Sequence, residues 1–66
     1  MEAIVNGERR SLESGTRVAD LLRELDLGGR RLAVEINRDI VPKTEYGSRE
    51  IQDGDQIEIV HFVGGG

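Results

Sequence analysis

The chain has 66 residues, a formal net charge of −4 and no cysteine, which allows one small domain and excludes a disulfide framework, a thiolate metal site or a catalytic thiol. Its two basic pairs, Arg9-Arg10 and Arg30-Arg31, have acids such as Glu35 near them in sequence, so no continuous basic surface for nucleic acid is expected. No apolar run is long enough to span a membrane and no signal peptide opens the chain, so we expect a cytoplasmic protein that binds neither nucleic acid nor membrane.

The first predicted element is a β-hairpin. Strand-like residues run from Glu2 to Val5 and again from Glu8 to Glu13, with Asn6-Gly7 between them. An Asn-Gly pair in this setting is typical of a two-residue hairpin turn, because both residues tolerate a positive φ. The sequence therefore predicts two antiparallel strands at the start of the chain.

A helix is predicted next, with Thr16 as its expected N-cap. The spacing i, i+3, i+4 and i+7 places four apolar residues on one helical face: Val18, Leu21, Leu22 and Leu25. Gly28 and Gly29 follow the last of these residues, where a left-handed C-cap is expected. The segment predicts one amphipathic helix that packs against a sheet.

Two further strands are expected after the helix. Alternating apolar residues predict a third strand from Arg31 to Ile36, with Leu32 and Val34 on the same face as Ile36. The segment 37–39 is expected to turn the chain into a short strand at Ile40-Val41. Pro42 limits that strand because proline has no N–H to donate to a neighbouring strand.

The last third of the chain predicts an irregular crossover and a final strand. Residues 43–51 are predicted to form a loop with a helical turn, and Asp53-Gly54-Asp55 is predicted to form a tight turn. The final strand is predicted over residues 56–63. If Ile57 and Ile59 face the helix, Val60 and Phe62 lie on the open face, where an exposed apolar pair indicates a partner-binding surface. The alternative is that scattered apolar residues are ordinary on protein surfaces.

This order of elements predicts an α+β fold of two layers, with a mixed four- to five-stranded sheet packed on one main helix. A hairpin first, a helix next and a last strand that returns beside the first describe the β-grasp (ubiquitin-like) arrangement. Residues 1–63 are expected to form this domain, and residues 64–66 a flexible C-terminal glycine tail.

The glycine tail is the best candidate for chemistry. Without Cβ atoms, Gly64 and Gly65 would let the chain enter a narrow cleft of another protein and present the carboxylate of Gly66 there. The alternative is a frayed terminus with no function. No catalytic residue is predicted, since His61 lacks partners for acid–base chemistry, and no metal site is predicted, since two carboxylates around Gly54 fall short of a calcium loop.

Several short motifs, in their order and spacing, resemble the ubiquitin-like sulfur carriers of the ThiS/MoaD family over the whole chain. The closer similarity is to the branch that serves thiamine biosynthesis. The segments that carry the resemblance are Asn6-Gly7, residues 18–22 (VADLL), 33–37 (AVEIN), 40–42 (IVP), 53–55 (DGD), 57–60 (IEIV) and the final Gly65-Gly66.

The resemblance implies a protein co-substrate and not an enzyme. A ThiF-type adenylating enzyme would use ATP and Mg to form an acyl-adenylate on Gly66, and a persulfide donor would convert it into a thiocarboxylate. A ThiG-type thiazole synthase would take the sulfur for the thiazole of thiamine. Gly64 and Gly65 would enter the partner's active site, and Val60 and Phe62 would bind both partners. The chain itself would bind no cofactor. A carrier for molybdopterin or amino-acid synthesis, or a β-grasp interaction module without carrier function, remains an alternative.

Overall fold

The computed structural model describes residues 1–62. The predicted tail at residues 64–66 and the preceding Val63 lie outside the described residues. The elements in chain order are β1 Glu2–Val5, β2 Glu8–Ser11, α1 Val18–Glu24, β3 Leu32–Ile36, β4 Asp39–Val41, a 3-10 helix Lys43–Glu45 and β5 Gln56–His61. Within residues 1–62, the five strands form one mixed sheet in the order β2-β1-β5-β3-β4, with a single α-helix on one face, so the predicted β-grasp fold is confirmed.

The first and last strands are parallel neighbours in the middle of the sheet. Ile4 pairs with Gln56 and Val5 with Ile57, while the other edge of β5 is antiparallel to β3. This central pairing, which pattern alone does not determine, confirms the topology inferred from the order of elements. It leaves β5 hydrogen-bonded on both sides, and β5 is the strand that leads to the glycine tail.

The core lies between one face of the sheet and α1. Alternation places apolar side chains of the strands on the helix side, and Val18, Leu21 and Leu22 of α1 cover them. Leu25 and Leu27 are half-buried at the edge of this core. Among residues 1–62, the buried apolar residues are Ala3, Val5, Leu12, Val18, Leu21, Leu22, Val34, Ile36, Val41, Ile51, Ile57 and Ile59.

The helix begins one residue later than predicted, and Thr16 is not its N-cap. The Thr16 hydroxyl donates to the Glu13 carbonyl at 2.6 Å, and the Thr16 carbonyl accepts from Ile51 N–H, so the backbone is still extended at Arg17. Arg17 occupies the N-cap position, although its side chain has no acceptor. Its N–H donates to the Asp20 carboxylate at 3.0 Å, and this bond holds the pKa of Asp20 below its ordinary value, with smaller contributions from the Arg23 and Arg17 charges.

The helix also ends earlier than predicted, so Gly28 and Gly29 do not cap it. Asp26 has a left-handed φ of 60° and takes the position expected of glycine. Its N–H donates to the Arg23 carbonyl at 3.0 Å and Leu27 N–H donates to the Leu22 carbonyl at 2.8 Å. These two bonds form a Schellman motif, whose usual apolar contact is supplied by Leu27 against the core.

Both hairpins have two-residue turns with positive φ at each position, as type I′ turns require. The first turn is Asn6-Gly7, as predicted, and the second is Asn37-Arg38, because Asp39 already pairs with Ile36 in β4. The limits of β1 are as predicted, whereas β2 ends at Ser11, β3 begins at Leu32 and β5 ends at His61, each one or two residues from its predicted limit. The helical turn in the crossover is confirmed. Among residues 1–62, no helix is long and apolar enough to cross a membrane.

Candidate functional site

The C-terminal end of β5 presents two large apolar side chains to solvent. Val60 is 53% exposed and Phe62 is 54% exposed, while Ile57 and Ile59 of the same strand are buried against the helix. The face assignment made from alternation is therefore correct for these core residues, and the predicted exposure of Val60 and Phe62 is confirmed. A role for the pair in partner binding stays a prediction.

Val60 and Phe62 lie in different surroundings. Val60 pairs with Ala33 of β3 and projects from the open face of the sheet. Phe62 lies one residue beyond β5, where its N–H donates to the Arg31 carbonyl at 3.0 Å. Phe62 lines a cleft with Leu32 and Tyr46, which are both packed against the core. The exposed apolar surface therefore bends around the end of the sheet.

The side chain of Asn6 holds β5 in place beyond the end of β1. Its Oδ1 accepts from Ile59 N–H at 2.8 Å and its Nδ2 donates to the Ile59 carbonyl at 3.3 Å. These two bonds take the place of ladder hydrogen bonds where β1 has already turned into β2. Sequence reasoning identified Asn6 only as a turn residue and missed this contact. The contact between Asn6 and Ile59 fixes the backbone immediately before Val60.

A second asparagine anchors the start of β5. Asn37 Oδ1 accepts from Gln56 N–H at 3.0 Å, and its Nδ2 donates to the carboxylate of Asp55 at 3.0 Å. Asp55 is buried and also accepts from Gln52 N–H, whereas Asp53 accepts from Glu2 N–H. Hydrogen bonds with the backbone and Asn37 thus occupy the two aspartates of the turn. Within residues 1–62, no three His, Asp or Glu side chains are grouped to hold a metal ion.

The open face of the sheet combines apolar and acidic side chains beside Val60. Glu35 of β3 lies directly opposite Glu58 of β5, and Ile40 of β4 lies opposite Glu35. Ile40 is 75% exposed, so this face has apolar area on both sides of a pair of like charges. Directly opposed like charges destabilise a sheet, and both glutamate side chains are exposed within residues 1–62.

The remaining predicted residues lie at the end of β5 or beyond it. His61 is exposed at the end of β5 and pairs through its backbone with Leu32. Gly64, Gly65 and Gly66 lie outside the described residues, so their predicted roles stay predictions. What the structure brings together at this end of the sheet is an exposed apolar surface and the point from which the glycine tail continues.

Comparisons with known proteins agree with this fold. The profile of the ThiS family matches residues 3–66. The sulfur carrier protein ThiS of Bacillus subtilis is 46% identical over 54 residues, which cover 82% of this chain and 80% of that protein. The crystal structure of the thiamine biosynthesis protein ThiS from Geobacter metallireducens superposes with a TM-score of 0.83 at 28% identity, and the match covers the full length of both chains.

A larger protein is similar as well. A thiazole synthase of Paramagnetospirillum magneticum is 46% identical over all 66 residues, although the chain spans only 20% of its length. The family profile and the carrier protein of B. subtilis each match most of the chain, and the resemblance inferred from the motifs is confirmed. This chain belongs to the ThiS family.

Proposed function

We propose that this chain is a sulfur carrier for thiazole formation in thiamine biosynthesis and that the carboxyl group of Gly66 carries the sulfur. The observation that carries this proposal is the match to the ThiS family over residues 3–66, which includes the glycines as well as the folded domain. The exposed apolar surface at the end of β5 supports it, because a partner that takes up the tail meets Val60 and Phe62 first.

The chemistry starts from a carboxylate, which is ionised at neutral pH and resists nucleophilic attack. In the proposed first step, an oxygen of the Gly66 carboxylate attacks the α-phosphorus of ATP on a ThiF-type enzyme with bound Mg, and pyrophosphate leaves. The terminal sulfur of a persulfide then attacks the acyl carbon and AMP leaves, which forms an acyl disulfide. A thiol cleaves the S–S bond of this intermediate and releases the thiocarboxylate.

The folded domain contributes binding and no acid–base catalysis. Gly64 and Gly65 provide a thin approach to the partner's active site, since side chains there would contact the walls of a narrow cleft. Val60 and Phe62 provide apolar area that each partner covers in turn. The carrier therefore acts as a co-substrate, and the ATP, the Mg and the catalytic groups belong to the activating enzyme. A reaction that uses ATP and thiols fits the cytoplasm expected from the sequence.

The similarity to a thiazole synthase favours thiamine over the other sulfur-transfer pathways. The relative from P. magneticum is named a thiazole synthase, and one segment of it is similar to this chain. We infer that a ThiG-type thiazole synthase receives the sulfur from this chain. Transfer to such an enzyme, with no transfer to a molybdopterin synthase, is the expected result.

The test is intact-mass spectrometry after incubation with the cognate adenylating enzyme, ATP, Mg and a persulfide donor. We expect one carboxyl oxygen to be replaced by sulfur, and sequencing of the C-terminal fragment should place the change at Gly66. Fragment sequencing is needed because oxidation of Met1 changes the mass by nearly the same amount. An unmodified chain, with an activating enzyme that modifies another carrier, would refute the proposal and favour an interaction module.

A further inference from the structure

A cleft with a strongly basic lining lies at the end of the sheet where β5 ends. Its volume is about 390 Å³, and Phe62 forms part of its wall. Among the described residues, the wall combines three cationic side chains with one aliphatic and two aromatic ones, and includes no acidic side chain. These residues are Arg30, Arg31, Lys43, Leu32, Tyr46 and Phe62.

Strand register brings the three cations together from two separate segments. Leu32 pairs with His61, so the residues just before β3 lie beside the end of β5. Val34 pairs with Val41, and the chain therefore reaches Lys43 at the same end of the sheet. The turn at Arg38 lies at the opposite end, because Ile36 pairs with both Asp39 and Ile57.

The charges of this cleft are not balanced by ion pairs within the described part of the chain. The ion pairs found among residues 1–62 join Arg9 to Glu2 and Arg23 to Asp20. Glu35, which lies close to Arg31 in sequence, belongs to the open face and pairs with Glu58 and Ile40. A local positive cleft thus exists on a chain with a net charge of −4.

We infer that this cleft is a docking site for acidic side chains at the entrance to the active site of the adenylating enzyme. The inference rests on the proposed function, because that enzyme must surround the tail that continues from Phe62. Charge complementarity selects the occupant: Arg30, Arg31 and Lys43 carry donors for carboxylates, while Phe62 and Tyr46 offer apolar area around them.

The length of the tail indicates that the cleft binds an acidic protein surface and not the nucleotide. The four residues after Phe62 span at most about 14 Å when fully extended, at about 3.3–3.6 Å per residue. A tail inserted in this way carries the reacting carboxylate, and the ATP beside it, well away from the cations at its base. The cleft therefore contacts the entrance of the partner's site and takes no part in the chemical step.

The test compares two double variants, each of which removes two positive charges, one variant inside the cleft and the other outside it. Arg30→Gln/Arg31→Gln removes two of the three positive charges of the cleft, and Arg9→Gln/Arg38→Gln removes two exposed positive charges that do not line it. The readout is ATP-dependent adenylation by the cognate ThiF-type enzyme, measured as KM for the carrier, KM for ATP and kcat. Thermal melting of both variants establishes that they fold.

We expect the cleft variant to raise KM for the carrier about 10-fold, at about 2- to 5-fold per exposed charge pair, with kcat and KM for ATP unchanged. The control variant should stay within about twofold of wild type, and the difference between the variants should shrink when salt rises from about 0.05 to 0.5 M.

Equal carrier KM values for the two variants would refute the docking site while activation of the wild type upholds the carrier function. A change confined to KM for ATP would assign the cleft to the nucleotide instead. Failure of wild type to be adenylated would overturn the carrier function and this inference together.

Discussion

Phe62→Ala tests whether the exposed aromatic side chain serves binding more than folding. Phe62 is 54% exposed, so about 110 Å² of an aromatic surface of about 200 Å² remains for a partner to cover. At about 25 cal/mol per Å², full coverage is worth about 2.5–3 kcal/mol, which corresponds to a 70- to 150-fold change in affinity, about 100-fold.

The folding cost of the same substitution is smaller. The buried part of Phe62, about 90 Å², gives at most about 2 kcal/mol at the same coefficient. Compaction of the unfolded chain and the contacts that alanine retains reduce this to about 1 kcal/mol. We therefore expect the free energy of binding to change at least twice as much as the free energy of unfolding.

The assay measures both quantities on one set of proteins. Urea denaturation gives the free energy of unfolding, and titration calorimetry with the cognate adenylating enzyme gives the dissociation constant. Ile59→Val is the matched control, because Ile59 is buried on the same strand and should lose about 0.5–1.5 kcal/mol of stability with unchanged affinity. The reasoning would be refuted if Phe62→Ala lowered the free energy of unfolding as much as it weakened the free energy of binding. It would also be refuted if Ile59→Val weakened binding as much as Phe62→Ala does.

Three further outcomes are expected. Deletion of Gly65 and Gly66 should leave the melting temperature unchanged, since the apolar core of the described residues ends at Ile59, and should abolish adenylation; unfolding of the truncated chain would contradict this. Asp20→Asn should lower the melting temperature at pH 7, and its difference in melting temperature from wild type should shrink as the pH falls below about 3.8. The reason is that the lowered pKa of Asp20 stabilises the folded state above the pKa of the unfolded chain, and protonation removes this stabilisation. A difference in melting temperature that circular dichroism shows to be independent of pH would contradict this. Glu58→Lys should raise the free energy of unfolding by about 0.2–1 kcal/mol by removing the repulsion from Glu35, and urea denaturation showing no gain at low salt would contradict it.

Periodicity predicted most of the fold because it reflects which side chains leave water. Alternation in β3 and β5 identified the helix-facing residues, and helical spacing identified Val18, Leu21 and Leu22 in the core. The helix limits were predicted less well, since backbone bonds to distant segments decide them. The Thr16 carbonyl accepts from Ile51 N–H beside an isolated β-bridge between Arg17 and Glu50, and Asp26 takes the left-handed position that glycine was expected to fill.

The supports of the candidate site were missed because they join residues far apart in sequence. Asn6 and Ile59 are 53 residues apart, and nothing in the local pattern around Asn6 distinguishes a turn residue from one that also clamps a strand. The basic cleft was missed for the same reason. Arg31 appeared to be neutralised by Glu35, but Arg31 precedes β3 and lines the cleft, whereas Glu35 lies opposite Glu58 on the open face. Four residues of extended chain separate the two positions by about 13 Å.

The position of β5 suits one strand both to the core and to the partner binding that we propose. It is paired with β1 on one edge and β3 on the other, and Asn6 extends this support to Ile59. Local opening of β5 would break bonds on both edges and expose buried Ile57, so this strand belongs to the most stable part of the sheet. A partner that binds Val60 and draws the tail into its active site therefore acts on a rigid base. Binding energy from the exposed residues can then position the tail without being lost to distortion of the carrier.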